Sequence, residues 1–142
     1  MRQSIKRVTL EKFLEILAHA QNAHRAKGEP IPYLTNDQKQ AVEKCLTSPF
    51  NQAFGSYLYK GFICKAAFLF YSINKNHLIG NGNKRMSCLT LSYFCRINHY
   101  TLLIPEAEFE ALALRVVVSD SANYESELKN IRKILKRYCK KI

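Results

Sequence analysis

The stretch HLIGNGNKR at residues 77–85 sets a histidine, two glycines, two asparagines and two cations side by side. Each of these types suits one task in phosphate chemistry. His77 is the only side chain there whose ordinary pKa suits proton transfer near neutrality. Gly80 and Gly82 let a backbone approach a ligand closely. Apolar periodicity on either side predicts one helix ending near Asn76 and the next beginning near Asn83. The connection then delivers unpaired N–H groups at a helix N-terminus, which favours an anion. Lys84 and Arg85 in that first turn oppose the helix dipole, a conflict that an anionic ligand would resolve. Asn81 offers an oxygen to a hydrated divalent metal. The competing reading is an Asn/Gly-rich turn with an incidental histidine.

Spacing excludes two rival phosphate motifs. A P-loop needs four residues between its first glycine and Gly-Lys-Ser/Thr, whereas Lys84 follows Gly82 by two with no strand before it. Gly80-Asn81-Gly82 also lacks the third glycine of a dinucleotide-binding turn.

The elements that must position these residues are helical. Leu10, Phe13, Leu14 and Leu17 share one helical face, with Thr9 placed to cap it and Gly28 to stop it. Thr35-Asn36-Asp37-Gln38 has the form of a capping box, opening a helix that buries Ala41, Val42, Cys45 and Leu46. Ser48-Pro49 ends that helix. Residues 62–74 are apolar nearly all round, which marks a central, buried helix. Met86, Leu89, Tyr93, Phe94 and Ile97 give the next face, and Asn98-His99-Tyr100 turns the chain. A helix starts at Ile104-Pro105-Glu106, and a last one over 123–138 places Tyr124, Leu128, Ile131, Leu135 and Tyr138 together. Residues 50–59, FNQAFGSYLY, hold four aromatics without helical order and read as an extended loop or short hairpin. The expectation is one all-α domain over 1–142, with room for one small β-hairpin.

Composition bounds what such a domain can do. A chain of 142 residues, 47% hydrophobic and 23% charged, can bury a core without staples. No apolar run approaches the length of a membrane span, and Glu11, Lys12 and Glu15 interrupt any signal-peptide core, so a cytoplasmic protein is expected. Five cysteines with no CxxC pair argue against a disulfide framework or a zinc site, leaving Cys139 as the expected exposed thiol. The net charge of +11, with seven cations among residues 129–141, favours nucleic acid, phosphate-bearing ligands or an acidic partner over a plain solvated face only in part.

HLIGNGNKR resembles the Fic/Doc signature HxFx(D/E/N)(G/A)N(G/K)R. FGSYLY at 54–59, KAAFLFYSINKNH at 65–77, NKRMSCLTLSYF at 83–94 and INHYTL at 97–102 are similar to their counterparts in death-on-curing (Doc-like) proteins. The resemblance implies a Fic-type helical bundle whose central helix pair flanks the motif loop. It implies that His77 is the general base toward a target hydroxyl and that Asn81 holds the metal position beside Mg²⁺. Gly82, Asn83 and Lys84 would cradle the phosphates of ATP through their backbone amides, and Arg85 would neutralise them. Phe54, Gly55, Ser56 and Tyr57 would form a flap holding the target chain beside His77.

Four positions depart from the commoner pattern. Ile79 replaces a phenylalanine and Asn81 an aspartate, the second binding Mg²⁺ more weakly. Lys84 stands where AMP-transferring relatives have glycine, and Cys88 where they have a second arginine. Both match the Doc-like branch, in which the γ-phosphate is transferred, so kinase activity is expected and AMP transfer is the alternative. Ser121-Ala122-Asn123-Tyr124-Glu125-Ser126 fails the self-inhibitory pattern (S/T)xxxE(G/N) at its last position and reads as a helix start. The resemblance therefore implies a toxin with a separate antitoxin and a translation-factor target such as elongation factor Tu. A reading of another class is a nucleic-acid-binding module using the basic C-terminal helix.

Overall fold

A computed structural model describes residues 4–28, 31–76 and 82–142. Within them the chain forms six helices: α1 (Leu10–Ala26), α2 (Asn36–Thr47), α3 (Gly61–Lys75), α4 (Asn83–Ile97), α5 (Glu106–Val118) and α6 (Tyr124–Tyr138). Two very short antiparallel pairs accompany them: β1 (Gln52–Ala53) with β2 (Ser56–Tyr57), and β3 (Tyr100–Leu102) with β4 (Cys139–Lys141). The fold is all-α.

Local chemistry sets the helix ends. Thr9 Oγ1 accepts from the Lys12 amide at 3.2 Å, and Gly28 closes α1 in the left-handed region at φ 74. Thr35 and Gln38 form the capping box in both directions, at 3.2 and 2.7 Å. A single 3₁₀ turn over Ser48–Phe50 follows α2, with Pro49 at its start. The Asp120 side chain accepts from the Ala122 amide ahead of α6.

The all-round apolar pattern of α3 has its expected consequence. α4, α5, α6 and α2 enclose it, and α1 lies against α4. Ala66 and Ala67 are fully buried and small enough to let neighbours approach, while Phe70, Leu69 and Ile73 fill the space between. Each large apolar side chain so buried contributes roughly 1.5–3 kcal/mol. Phe62 stacks on both Phe94 of α4 and Tyr100 of β3, tying the N-terminal end of α3 to the C-terminal end of α4. The two central helices are thus antiparallel. Among the described residues no helix is long and apolar enough to cross a membrane.

The β3–β4 pair is not apparent from sequence, where Cys139-Lys140-Lys141 reads as a charged tail. His99 in the left-handed region (φ 64) turns the chain after α4, and the Ile142 amide donates to His99 O at 2.8 Å. Backbone pairing, which side-chain pattern does not report, holds the tail. It also half-buries Cys139, with its Sγ 4.0 Å from Cys95 Sγ. Cys64 and Cys88 are equally half-buried, so Cys139 is not alone in its exposure.

Candidate functional site

The two ends that flank residues 77–81 are fastened to each other by buried polar side chains. Asn74, with no exposed surface, donates through Nδ2 to Phe70 O at 3.0 Å. Its Oδ1 faces Ser87 Oγ at 3.0 Å, and that hydroxyl also reaches Lys84 O at 2.8 Å. Asn76 caps α3, its Nδ2 donating to Ser72 O at 2.7 Å and contacting Cys45 Sγ at 3.5 Å. The C-terminal end of α3 and the first turn of α4 are therefore a fixed frame.

On that frame the structure brings together Gly82, Asn83, Lys84 and Arg85. Gly82 caps α4 at φ −98, ψ −2, a region open to any residue. No acid occupies the first turn of α4. Lys84 and Arg85 are instead exposed at the positive end of the helix dipole, while Asn83 is buried. The carboxylate facing Arg85 is Glu106 of α5, at 4.0 Å, with the two side chains 46% and 82% exposed. A pair this long and this wet contributes about 0–1 kcal/mol and leaves the guanidinium available to a ligand. Backbone N–H groups with two cations suit phosphate oxygens directly, and a divalent metal only through such oxygens. The other expected site residues, His77 and Asn81, lie outside the described residues, as do Ile79 and Gly80.

The hairpin is formed as expected, beside the N-terminal end of α3, while His77 lies outside the described residues. Phe54 and Gly55 both have positive φ, 52 and 78, and join β1 to β2 as a two-residue turn of the primed kind. Lys65 near the start of α3 anchors it. Its Nζ donates to Tyr59 O at 2.6 Å and sits 4.1 Å from the Tyr57 ring centroid and 5.7 Å from that of Phe50. Phe50 meets Phe94 near the end of α4. With 15 residues, α3 is about 21 Å long, so Phe54, Gly55, Ser56 and Tyr57 stand at the opposite end of the helix pair from Asn76 and Gly82.

A cleft of about 450 Å³, not foreseen from sequence, lies on the flank of α3 and is lined by Leu58, Tyr59, Cys64, Tyr124, Lys129 and Arg132 among others. Its one sequence trace is the spacing of Lys129 and Arg132, which puts two cations on one face of α6. Residues 121–126 form a 3₁₀ turn and the start of α6, the helix start expected of them.

Residues 5–95 match the family model described as the Fic/DOC family. That span runs from the segment before α1 to Cys95 near the end of α4, and it includes all of residues 77–85. No curated protein and no solved structure gives a significant match to the chain.

Proposed function

Since the chain belongs to the Fic/DOC family, whose members transfer nucleotide-derived groups to proteins, we propose that it is a Doc-like toxin that transfers the γ-phosphate of ATP to a protein hydroxyl. The observation that carries this reading is the pair of exposed cations, Lys84 and Arg85, in a first helical turn that holds no acid. A helix built for its own stability would place them at its other end.

In this proposal His77 takes the proton of the attacking hydroxyl, a role that contributes roughly 10²–10⁴ in rate. The backbone N–H groups of Gly82, Asn83 and Lys84 hold the phosphates, and Arg85 offsets the charge that develops on them. ATP supplies the phosphoryl group and arrives with Mg²⁺, for which Asn81 is the proposed neighbour. The buried Asn74–Ser87 contact keeps the anion-facing turn of α4 in fixed relation to α3, so little reorganisation is needed when the nucleotide binds. Lys84 and Cys88 at their motif positions favour γ-transfer over AMP transfer. The proposed setting is the cytoplasm, with an acidic antitoxin as neutraliser and a translation factor of the elongation factor Tu class as target.

ATP labelled separately at the α and γ positions, incubated with the protein, Mg²⁺ and a cytosolic extract, tests the reading. Protein-bound label from γ alone is the expected result. Label from α identifies AMP transfer, and label from neither removes the enzymatic reading.

A further inference from the structure

Tyr59, after the hairpin, stacks on Phe68 at 4.0 Å between centroids, and its hydroxyl meets that of Tyr124 at 2.8 Å. Tyr124 in turn stands edge-on to Tyr71, one helical turn before Lys75. These contacts place the cleft along the flank of α3. Its lining takes Leu58, Tyr59 and Cys64 from the hairpin exit and the start of α3. α6 forms the other wall and runs antiparallel to α3.

The wall chemistry is mixed in a specific way. Leu58 is exposed, and Leu58, Leu128 and the two tyrosines supply apolar surface. Lys129 and Arg132 stand one turn apart on the same wall, and among the described residues neither meets a carboxylate within ion-pair distance. Glu127, two residues before Lys129, is occupied by Arg115 at 3.2 Å. Two uncompensated cations beside an aliphatic and aromatic floor complement carboxylates flanking an apolar side chain. Glu125, one turn before Lys129, also lines the cleft, so the carboxylates of such a segment belong beside Lys129 and Arg132 and away from it. The volume falls within the range of pockets that enclose a ligand of a few residues.

We propose that this cleft docks an acidic segment, carrying an apolar anchor, of the protein whose hydroxyl is modified, an inference that rests on the transfer function above. Docking along α3 would direct the following part of the substrate chain toward the α4 N-terminus, and distance from that turn leaves nucleotide binding independent of the cleft. The cations would accelerate encounter and fix register, and the apolar floor would supply the anchor.

The test uses the ¹⁵N-labelled full chain and a short, end-blocked peptide with glutamates on both sides of a leucine. Saturable amide shifts are expected at Leu58, Cys64, Ser126 and Lys129. The double variant Lys129→Glu/Arg132→Glu should weaken this binding about tenfold or more with an unchanged melting temperature. The same variant should lower γ-label transfer to extract proteins by a similar factor while ATP·Mg²⁺ still shifts the amides of residues 82–85. Shifts confined to the outer α6 cations Lys133, Lys136 and Arg137, or an equally strong response to the lysine-for-glutamate peptide, would overturn the proposal. So would tighter occupation of the cleft by a single-stranded oligonucleotide, or undiminished transfer by the double variant. If the wild-type chain transfers no label, the transfer function fails, and with it the substrate role. Peptide shifts would then report only an acidic-segment site.

Discussion

Ser87 Oγ lies 3.0 Å from Asn74 Oδ1 in the interface between α3 and α4, and both side chains are closed to water. Each is the other's neighbour across the two helix ends that flank residues 77–81. A buried polar contact of this kind is expensive to halve, because the remaining group keeps its desolvation penalty. Asn74→Ala should destabilise the fold by about 1–3 kcal/mol. Ser87→Ala should likewise cost about 1–3 kcal/mol, because it leaves the buried Asn74 Oδ1 without its donor. Urea titrations of the single and double variants should give a coupling of about 1 kcal/mol, and strictly additive losses would mean the two groups do not interact.

Two substitutions separate chemistry from binding. His77→Ala should abolish transfer, a loss on the order of 10²–10⁴, with ATP affinity retained. Arg85→Ala should weaken ATP binding while changing stability by less than about 1 kcal/mol, since its contact with Glu106 is long and exposed. Calorimetric ATP titration beside γ-label transfer distinguishes the two. Full transfer by His77→Ala would remove the proposed base.

The hairpin turn is strained by its own sequence. Phe54 is fully exposed at φ 52, where a bulky residue pays about 1–2 kcal/mol that no burial returns. Asn-Gly is the preferred pair for a turn with two positive φ values, and Gly55 already supplies the second. Phe54→Asn should therefore stabilise the chain by roughly 0.5–1 kcal/mol, read as a rise of a few degrees in melting temperature. A fall would show that the phenylalanine has a packing partner.

The hairpin also marks where the sequence was and was not legible. Helix positions followed from periodicity because each helix buries one stripe, and α3, buried all round, showed as an unbroken apolar run. The Thr35 capping box and the Thr9 cap were readable because capping is local chemistry. Residues 82–85 were readable as a helix start for the same reason. The end of the bundle at which the hairpin stands was not readable. That depends on Lys65 holding Tyr59 O and on Phe50 and Phe62 meeting Phe94, contacts between residues up to 44 apart in sequence. The α3–α6 cleft and the β3–β4 pair were hidden likewise, because each is made by segments distant along the chain.

Thr90 on α4 is fully buried, and among the described residues its Oγ1 has no hydrogen-bond partner. An orphaned hydroxyl in an apolar setting carries its desolvation cost without return. Thr90→Val keeps the shape and replaces the hydroxyl by a methyl group. The variant should be more stable by up to about 1 kcal/mol in urea titration, and a loss above that size would reveal a partner for the hydroxyl.

Burial pushes the Cys45 thiol up to about 11, an effect that the weak hydrogen bond from Asn76 only partly opposes. Burial likewise raises Cys88 to about 11. An unfolded thiol titrates near about 8.5, so between these values the unfolded chain has released a proton that the folded chain still holds. Stability from this source is fully present below about pH 8.5 and is lost as pH rises through 11. Burial shifts Lys65 downward, which acts in the opposite direction, because the unfolded lysine holds its proton longer and stability then rises with pH. Comparing the wild type with Cys45→Ala removes that contribution, since Lys65 is common to both. In urea titrations under reducing conditions, the wild type should lose on the order of 2 kcal/mol more than Cys45→Ala between pH 8 and pH 10.5. Equal losses would mean that water reaches Cys45 in the folded state.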